Sequence, residues 1–225
     1  MHAAPPPAHA SNATIPQLAF AVAGVRALEH VAVPTIAFSL AVESVRGHEI
    51  RSVLLEVQLQ IAARRRPYEE REQEALADLF GTPDRWGSTL GTLPWVRTTA
   101  VIPAFCGRTV VELPVVCTYD LVVKASRYLN ALAGGTVPLE LLFSGTVFFA
   151  GEGGALQTAM IGWDTEAECN MPVATWKEAI DHHFPGSAWL RLDRDSFDRL
   201  TAYRTRRQLG SWEETLGSLL PPEAG

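Results

Sequence analysis

The stretch Ile50–Ile61 constrains this chain more than any other. Val53, Leu55, Val57, Leu59 and Ile61 point one way, while Glu56, Gln58 and Gln60 point the other. Side chains alternate faces along a strand, so this pattern specifies a half-buried strand of an antiparallel sheet, one face needing cover and the other wet. A second layer must therefore lie over that apolar face.

Other segments supply further strands. Leu18–Val25 and Ile36–Glu43 read as two, separated by a loop with Pro34, and Arg46-Gly47-His48 turns the chain into the next. Arg64-Arg65-Arg66-Pro67 closes that strand. Trp95–Ile102 and Thr109–Tyr119 form another pair, with Val111, Leu113, Val115 and Cys117 on one face. Pro114 lacks a ladder donor, which assigns its strand to an edge or a bulge. Pro138–Ala150 and Ala155–Trp163 form a hairpin through Gly151-Glu152-Gly153-Gly154. These glycines join two strands and open no helix, so they make a turn and not a phosphate cradle.

Helical spacing occupies Glu69–Phe80, where Leu76, Leu79 and Phe80 share a side and Gly81 stops the run. Thr82–Pro94, with Trp86 inside and Trp95 just beyond, reads as a long packed loop. Leu121, Ala125, Tyr128, Leu129 and Leu132 fit a helix face ending at Gly134-Gly135, although Leu121-Val122-Val123 also fits an extension of the strand. Asn170 is expected to cap a helix entered through Pro172, with Val173, Trp176, Ile180 and His183/Phe184 on one face and Pro185-Gly186 beyond it. After an extended Trp189–Leu192, a helix led by Asp193 carries Phe197, Leu200 and Tyr203 and stops at Gly210. Ser211 caps a last short helix through Leu220. About seven strands followed by helices define an α+β domain whose core is an antiparallel sheet or sandwich. The expected organisation is a disordered tail over 1–16, one domain over 17–220 and a disordered end over 221–225.

Composition narrows the function classes. With 225 residues and 47% apolar side chains, the chain can build a core without disulfides or metal. Its formal charge of −6 opposes a phosphate-tracking nucleic-acid binder. No apolar run approaches the ~18 residues that span a bilayer, so no membrane insertion is expected. The opening residues lack the basic and apolar regions of a secretory signal. Three cysteines, Cys106, Cys117 and Cys169, fit neither a C-x-x-C pair nor an even-numbered disulfide framework, and a cytoplasmic location follows.

Candidate chemistry is sparse. His182 and His183 follow Asp181, but adjacent residues on a helix point about 100° apart and do not readily share a metal ion. His183 reads as a core-edge residue and His182 as a surface one. Cys106 lies in an expected loop without a nearby histidine to raise its thiolate fraction, while Cys117 reads as core. Arg64, Arg65 and Arg66 are followed by Glu69, Glu70, Glu72 and Glu74, which nearly cancel them and give a solvated face. Six arginines between Arg191 and Arg207 face three aspartates, an acidic-partner surface or a helix whose last turn complements its dipole. No catalytic, cofactor-binding or metal residue is assigned, and no cofactor is expected.

Several segments resemble an uncharacterised bacterial domain family found near genes for high-affinity nickel-iron hydrogenase subunits. They are PTIAFSL (34–40), RSVLLEVQLQI (51–61), LFGTPDRWGSTL (79–90), VCTYDL (116–121), VPLELLFSGTVFF (137–149) and FPGSAWLRLDRDSFDRL (184–200). The resemblance implies an accessory role in assembling or stabilising an oxidoreductase and carries no ligand residues. The order of the Pro172-led helix, the extended Leu190-Arg191-Leu192 and the helix at Phe197-Asp198 is also similar to the C-terminal half of SecB-type export chaperones. Such proteins hold unfolded chains on apolar grooves and associate through their sheets. The Ala62–Gly135 segment has no counterpart there.

The leading expectation is therefore a non-catalytic accessory or chaperone-like factor that binds another protein, a hydrogenase subunit first among candidates, with a homo-oligomer compatible. The first alternative is an enzyme or metal carrier whose site folding assembles from Cys106, Cys169, His182 and His183. The second is a structural subunit of a larger complex. Burial or exposure of Trp86, Trp95 and Trp189 discriminates a core role from a binding surface.

Overall fold

The structure, a computed structural model, describes residues 15–118, 123–187 and 191–220. Most of the expected tail, the 221–225 end, Tyr119 at the end of an expected strand, the Leu121-Val122 start of the ambiguous helix and Trp189-Leu190 lie outside the described residues. The strands in chain order are β1 (Leu18–Ala27), β2 (Thr35–Ser44), β3 (Glu49–Ile61), β4 (Leu93–Ile102), β5 (Phe105–Cys106), β6 (Arg108–Val116), β7 (Thr136–Ala150), β8 (Leu156–Met160) and β9 (Glu166–Pro172). The helices are α1 (Glu70–Phe80), α2 (Trp86–Thr89), α3 (Lys124–Ala131), α4 (Val173–His183), α5 (Arg194–Arg207) and α6 (Trp212–Gly217). Two compact units result, Met1–Ala188 and Trp189–Gly225.

The first unit is an antiparallel sandwich. One sheet runs β1-β2-β6, the other β4-β3-β7-β8, with β5 also pairing with β3 and β9 with β7. β3 is central because its alternation requires it. Val53, Leu55, Val57, Leu59 and Ile61 are all buried, and ladders to β4 and β7 satisfy both backbone edges. Ile36, Phe38, Leu40 and Val42 of β2 line the core from the other sheet. Phe20 stacks on Phe143 at 4.3 Å and Phe38 meets Trp95 edge-on at 6.3 Å, joining the two layers. Each such side chain, fully buried, contributes about 1.5–3 kcal/mol. Pro114 lies on β6, the edge strand beside β2, where its missing N–H breaks no ladder.

Several expectations are corrected. Nine strands are present among the described residues, not about seven. The additions are the two-residue β5 and β9, in which buried Ala167 and Met171 alternate with exposed Glu166, Glu168 and Asn170. Asn170 is thus a ladder residue opposite Pro138 and caps nothing; α4 starts after Pro172 without a side-chain cap. The Thr82–Pro94 segment is partly helical, with a 3-10 turn at Pro83–Arg85 running into α2. Its anchor is the Trp86 indole, which donates to the Gly81 carbonyl at 2.8 Å and packs edge-on against Tyr68 and Phe80.

The second unit holds α5 and α6. Asp193 caps α5 by accepting from the Ser196 N–H at 2.8 Å, and Ser211 and Glu214 form a capping box on α6. α5 ends at Gln208 in the left-handed conformation (φ 55°), ahead of the expected stop at Gly210. The Arg204 guanidinium explains this end, donating to the carbonyls of Leu209 and Gly210 at 3.3 and 2.9 Å. α6 stops at Gly217, short of Leu220.

Candidate docking face

Apolar side chains also gather where no core requires them. On the outer face of the larger sheet, Val101 stands opposite Leu54, Leu54 opposite Thr146, and Thr146 opposite Met160. Directly opposed residues on antiparallel strands share a face, so this is one row crossing β4, β3, β7 and β8. Val101, Leu54 and Met160 are 67%, 50% and 70% exposed. Beside the row, Phe148 is half-buried opposite Ser52 and Thr158, and Leu156, 67% exposed, faces Ala150. Wet sheet faces normally carry polar residues; here Val101, Leu54, Phe148, Leu156 and Met160 put apolar side chains among Thr146, Ser52 and Thr158.

Gly145 keeps the row in register. Its φ of 138° suits glycine alone, and a Cβ there would run into the Leu54 carbonyl. The close backbone approach brings β7 against β3 beneath Leu54 and Thr146. The Thr146 hydroxyl then lies 3.6 Å from the Met160 sulfur.

The sheet edge adds an aromatic residue. β8 and β9 both pair with β7, β8 opposite 146–150 and β9 opposite 136–142. The intervening 161–165 is an edge bulge, held by Ile161 N–H to the Gly145 carbonyl and Phe143 N–H to the Thr165 carbonyl, both at 3.0 Å. Bulges blunt edge strands and re-aim side chains. This one presents Trp163, 95% exposed. The expected hairpin strand Ala155–Trp163 therefore stops at Met160, and its last residue belongs to the bulge.

Charge borders the apolar row. On the same outer face, Glu56 pairs across the ladders with Thr99 and Ser144, Glu166 with Leu142, and Glu168 with Glu140. Arg65 bridges Glu140 and Glu168 at 2.8 and 2.6 Å, and Arg97 approaches Glu56 at 3.3 Å. The Glu168 hydrogen bond, then the Glu140 charge, hold the Arg65 guanidinium above its ordinary pKa. Four carboxylates against two guanidiniums leave this flank acidic.

The residues singled out from sequence are not assembled. Cys106 pairs in β5 at Glu49, whereas Cys169 pairs in β9 with Leu139, which stands opposite Ile61. Glu49 and Ile61 are the two ends of β3, so the cysteines are separated by roughly 35–40 Å of strand. Cys106 is exposed, its thiol 3.8 Å from the Gly47 carbonyl. Burial pushes the Cys169 thiol up to about 11 and the Cys117 thiol up to about 12, away from thiolate chemistry. The His183 ring lies between the carbonyls of Ala179 and Val31, its nitrogens 3.0 and 2.9 Å from them, and can donate its N–H to either, while His182 is exposed beside it. Among the described residues no group of three His, Cys, Asp or Glu side chains is placed to hold a metal ion. Of the tryptophans proposed as discriminators, Trp86 is buried, Trp95 is half-buried against Phe38, and Trp189 lies outside the described residues.

Among the described residues no helix is long and apolar enough to cross a membrane. Compared with known families, residues 15–224 match one described as a family of unknown function (DUF6084). No curated protein matches the chain.

Proposed function

The chain belongs to the family of unknown function DUF6084, and from that premise we propose that it is a non-catalytic, cytoplasmic accessory factor that binds another protein through the outer face of its larger sheet. The carrying observation is Trp163, held almost fully exposed on an edge bulge three residues beyond Met160, which ends the Val101–Leu54–Thr146–Met160 row. Tryptophan and methionine are the side chains that anchor interfaces, and an apolar row bordered by charge is the anatomy of one. The acidic flank formed by Glu56, Glu140, Glu166 and Glu168 favours a partner segment that carries apolar anchors followed by lysines or arginines.

The resemblance to a family found beside nickel-iron hydrogenase genes makes a hydrogenase subunit the first partner to test. Affinity purification from cells expressing such a hydrogenase, with the wild type and with M160S/W163S, is the direct experiment. Recovery of a hydrogenase subunit by the wild type and its loss in the double variant support the reading. Equal recovery by both removes the face from the account, and recovery of only the bait removes the partner.

A further inference from the structure

A different part of the first unit carries a second binding site. α1, α3, the Leu132-Ala133 segment and α4 line an open cleft of about 560 Å³, to which Arg71, Arg127 and Lys177 each contribute one cation from a different helix. We propose that this cleft binds a small oxyanion bearing two or more negative charges, of the carboxylate or phosphate type. It shares no residue with the apolar row, and its argument is independent of protein docking.

Three like charges brought from remote parts of the chain into one concavity repel one another, and a cleft focuses their field onto whatever enters. Among the described residues, one carboxylate lines the cleft, Glu72, and one pairs with a cation that lines it, Asp78. Glu72 lines the cleft but is committed elsewhere: one oxygen accepts from Arg66 at 2.8 Å and the Ala133 N–H at 2.9 Å, the other from Arg66 at 3.0 Å and the Glu69 N–H at 3.2 Å. Asp78 pairs with Arg127 at 3.0 Å but is itself 81% exposed, and water screens such a pair. Lys177 donates to the Ala133 carbonyl at 3.0 Å, which fixes its ammonium at the rim and leaves further N–H bonds to give. Arg71 is exposed and makes no hydrogen bond or ion pair among the described residues.

The wall chemistry suits a compact ligand. Ala75 lies one turn beyond Arg71 on α1, and Ala131 and Ala133 flank Leu132 on the opposite side. These short side chains keep the volume open, and it falls within the range of small-molecule sites. Asn130 adds a neutral donor and acceptor. Guanidinium groups match the paired oxygens of carboxylate and phosphate, so charge and geometry select the same class.

The test is titration of the full chain with inorganic phosphate and, separately, citrate, followed by calorimetry at low and physiological salt. Saturable binding of either anion is expected, weakened about tenfold by Arg71→Gln and further by R71Q/R127Q, with R206Q on α5 unchanged. The anion that binds more tightly identifies the source chemistry. Binding of neither anion, or equal binding by the wild type and R71Q/R127Q, overturns the proposal. Circular dichroism of each variant separates loss of the site from loss of the fold.

Discussion

The Arg66 guanidinium lies 2.8 Å from the Glu72 carboxylate, with side-chain exposures of only 10% and 2%. Glu72 also accepts from the Ala133 N–H, and Arg66 donates to the Gly134 carbonyl at 3.3 Å. The pair therefore fastens α1 to the segment that leads from α3 into β7. Removing one partner strands the other charge in a dry setting. Glu72→Ala should cost about 3–5 kcal/mol in denaturant unfolding, and R66M/E72L should recover much of that loss. A loss below about 1 kcal/mol for the single variant would contradict the assigned role.

Gly145 should tolerate no side chain. Gly145→Ala forces a Cβ against the Leu54 carbonyl at a positive φ, so β3 and β7 must part at the middle of the sheet. Unfolding should shift by about 3 kcal/mol or more. Gly153→Ala, also at positive φ but with nothing near its missing Cβ, should cost about 1 kcal/mol. Equal losses would remove the close approach from the account.

Alkaline pH should destabilise the fold in a defined window. Burial raises the Cys169 and Cys117 thiols to about 11 and about 12, and raises the Tyr128 phenol as well. A raised acid is held neutral in the folded state, so its stabilisation is intact below the unfolded thiol value of about 8.5. It is lost as pH climbs through the folded values, because the unfolded chain releases its proton first. Chemical unfolding should therefore be flat to about pH 8 and weaken between about 9 and 12. Cys117→Ala should reduce that slope; an unchanged slope would assign it to other groups.

The second unit should be the more mobile part on the hydrogen-exchange timescale. α5 has no buried residue, and Phe197, Leu216 and Leu219 are exposed, so little packing protects its amides. Exchange should be faster in α5 than in β3. Asp193→Ala should accelerate it further at Ser196 by removing the cap, while β3 stays unchanged.

The sandwich was largely legible from periodicity. The alternation in Ile50–Ile61 and the edge-type Pro114 specify a sheet with one covered face, and both readings agree with the ladders. The errors arose where a local signal competed with pairing. Pro172 does precede the start of α4, but Asn170 only imitates its cap, because the alternation of Ala167, Cys169 and Met171 carries β9 up to Pro172. The row on the outer face was not legible, because Val101, Leu54, Thr146 and Met160 become neighbours only through the register of four strands. Trp163 had a faint signal, lying between Gly162 and Asp164-Thr165, which interrupt a strand, but its exposure depends on the bulge. The cations Arg71, Arg127 and Lys177 had no joint signal at all, since packing of three helices brings them together.

The central claim is that the face ending at Trp163 meets a protein partner. Its most direct measurement is site-specific photocrosslinking in hydrogenase-expressing cells, with p-benzoylphenylalanine placed at Trp163 or, as a control, at exposed Arg206. A discrete adduct from position 163, identified as a hydrogenase subunit and missing from position 206, is the predicted result. No adduct from position 163, or the same adducts from both positions, would contradict the account.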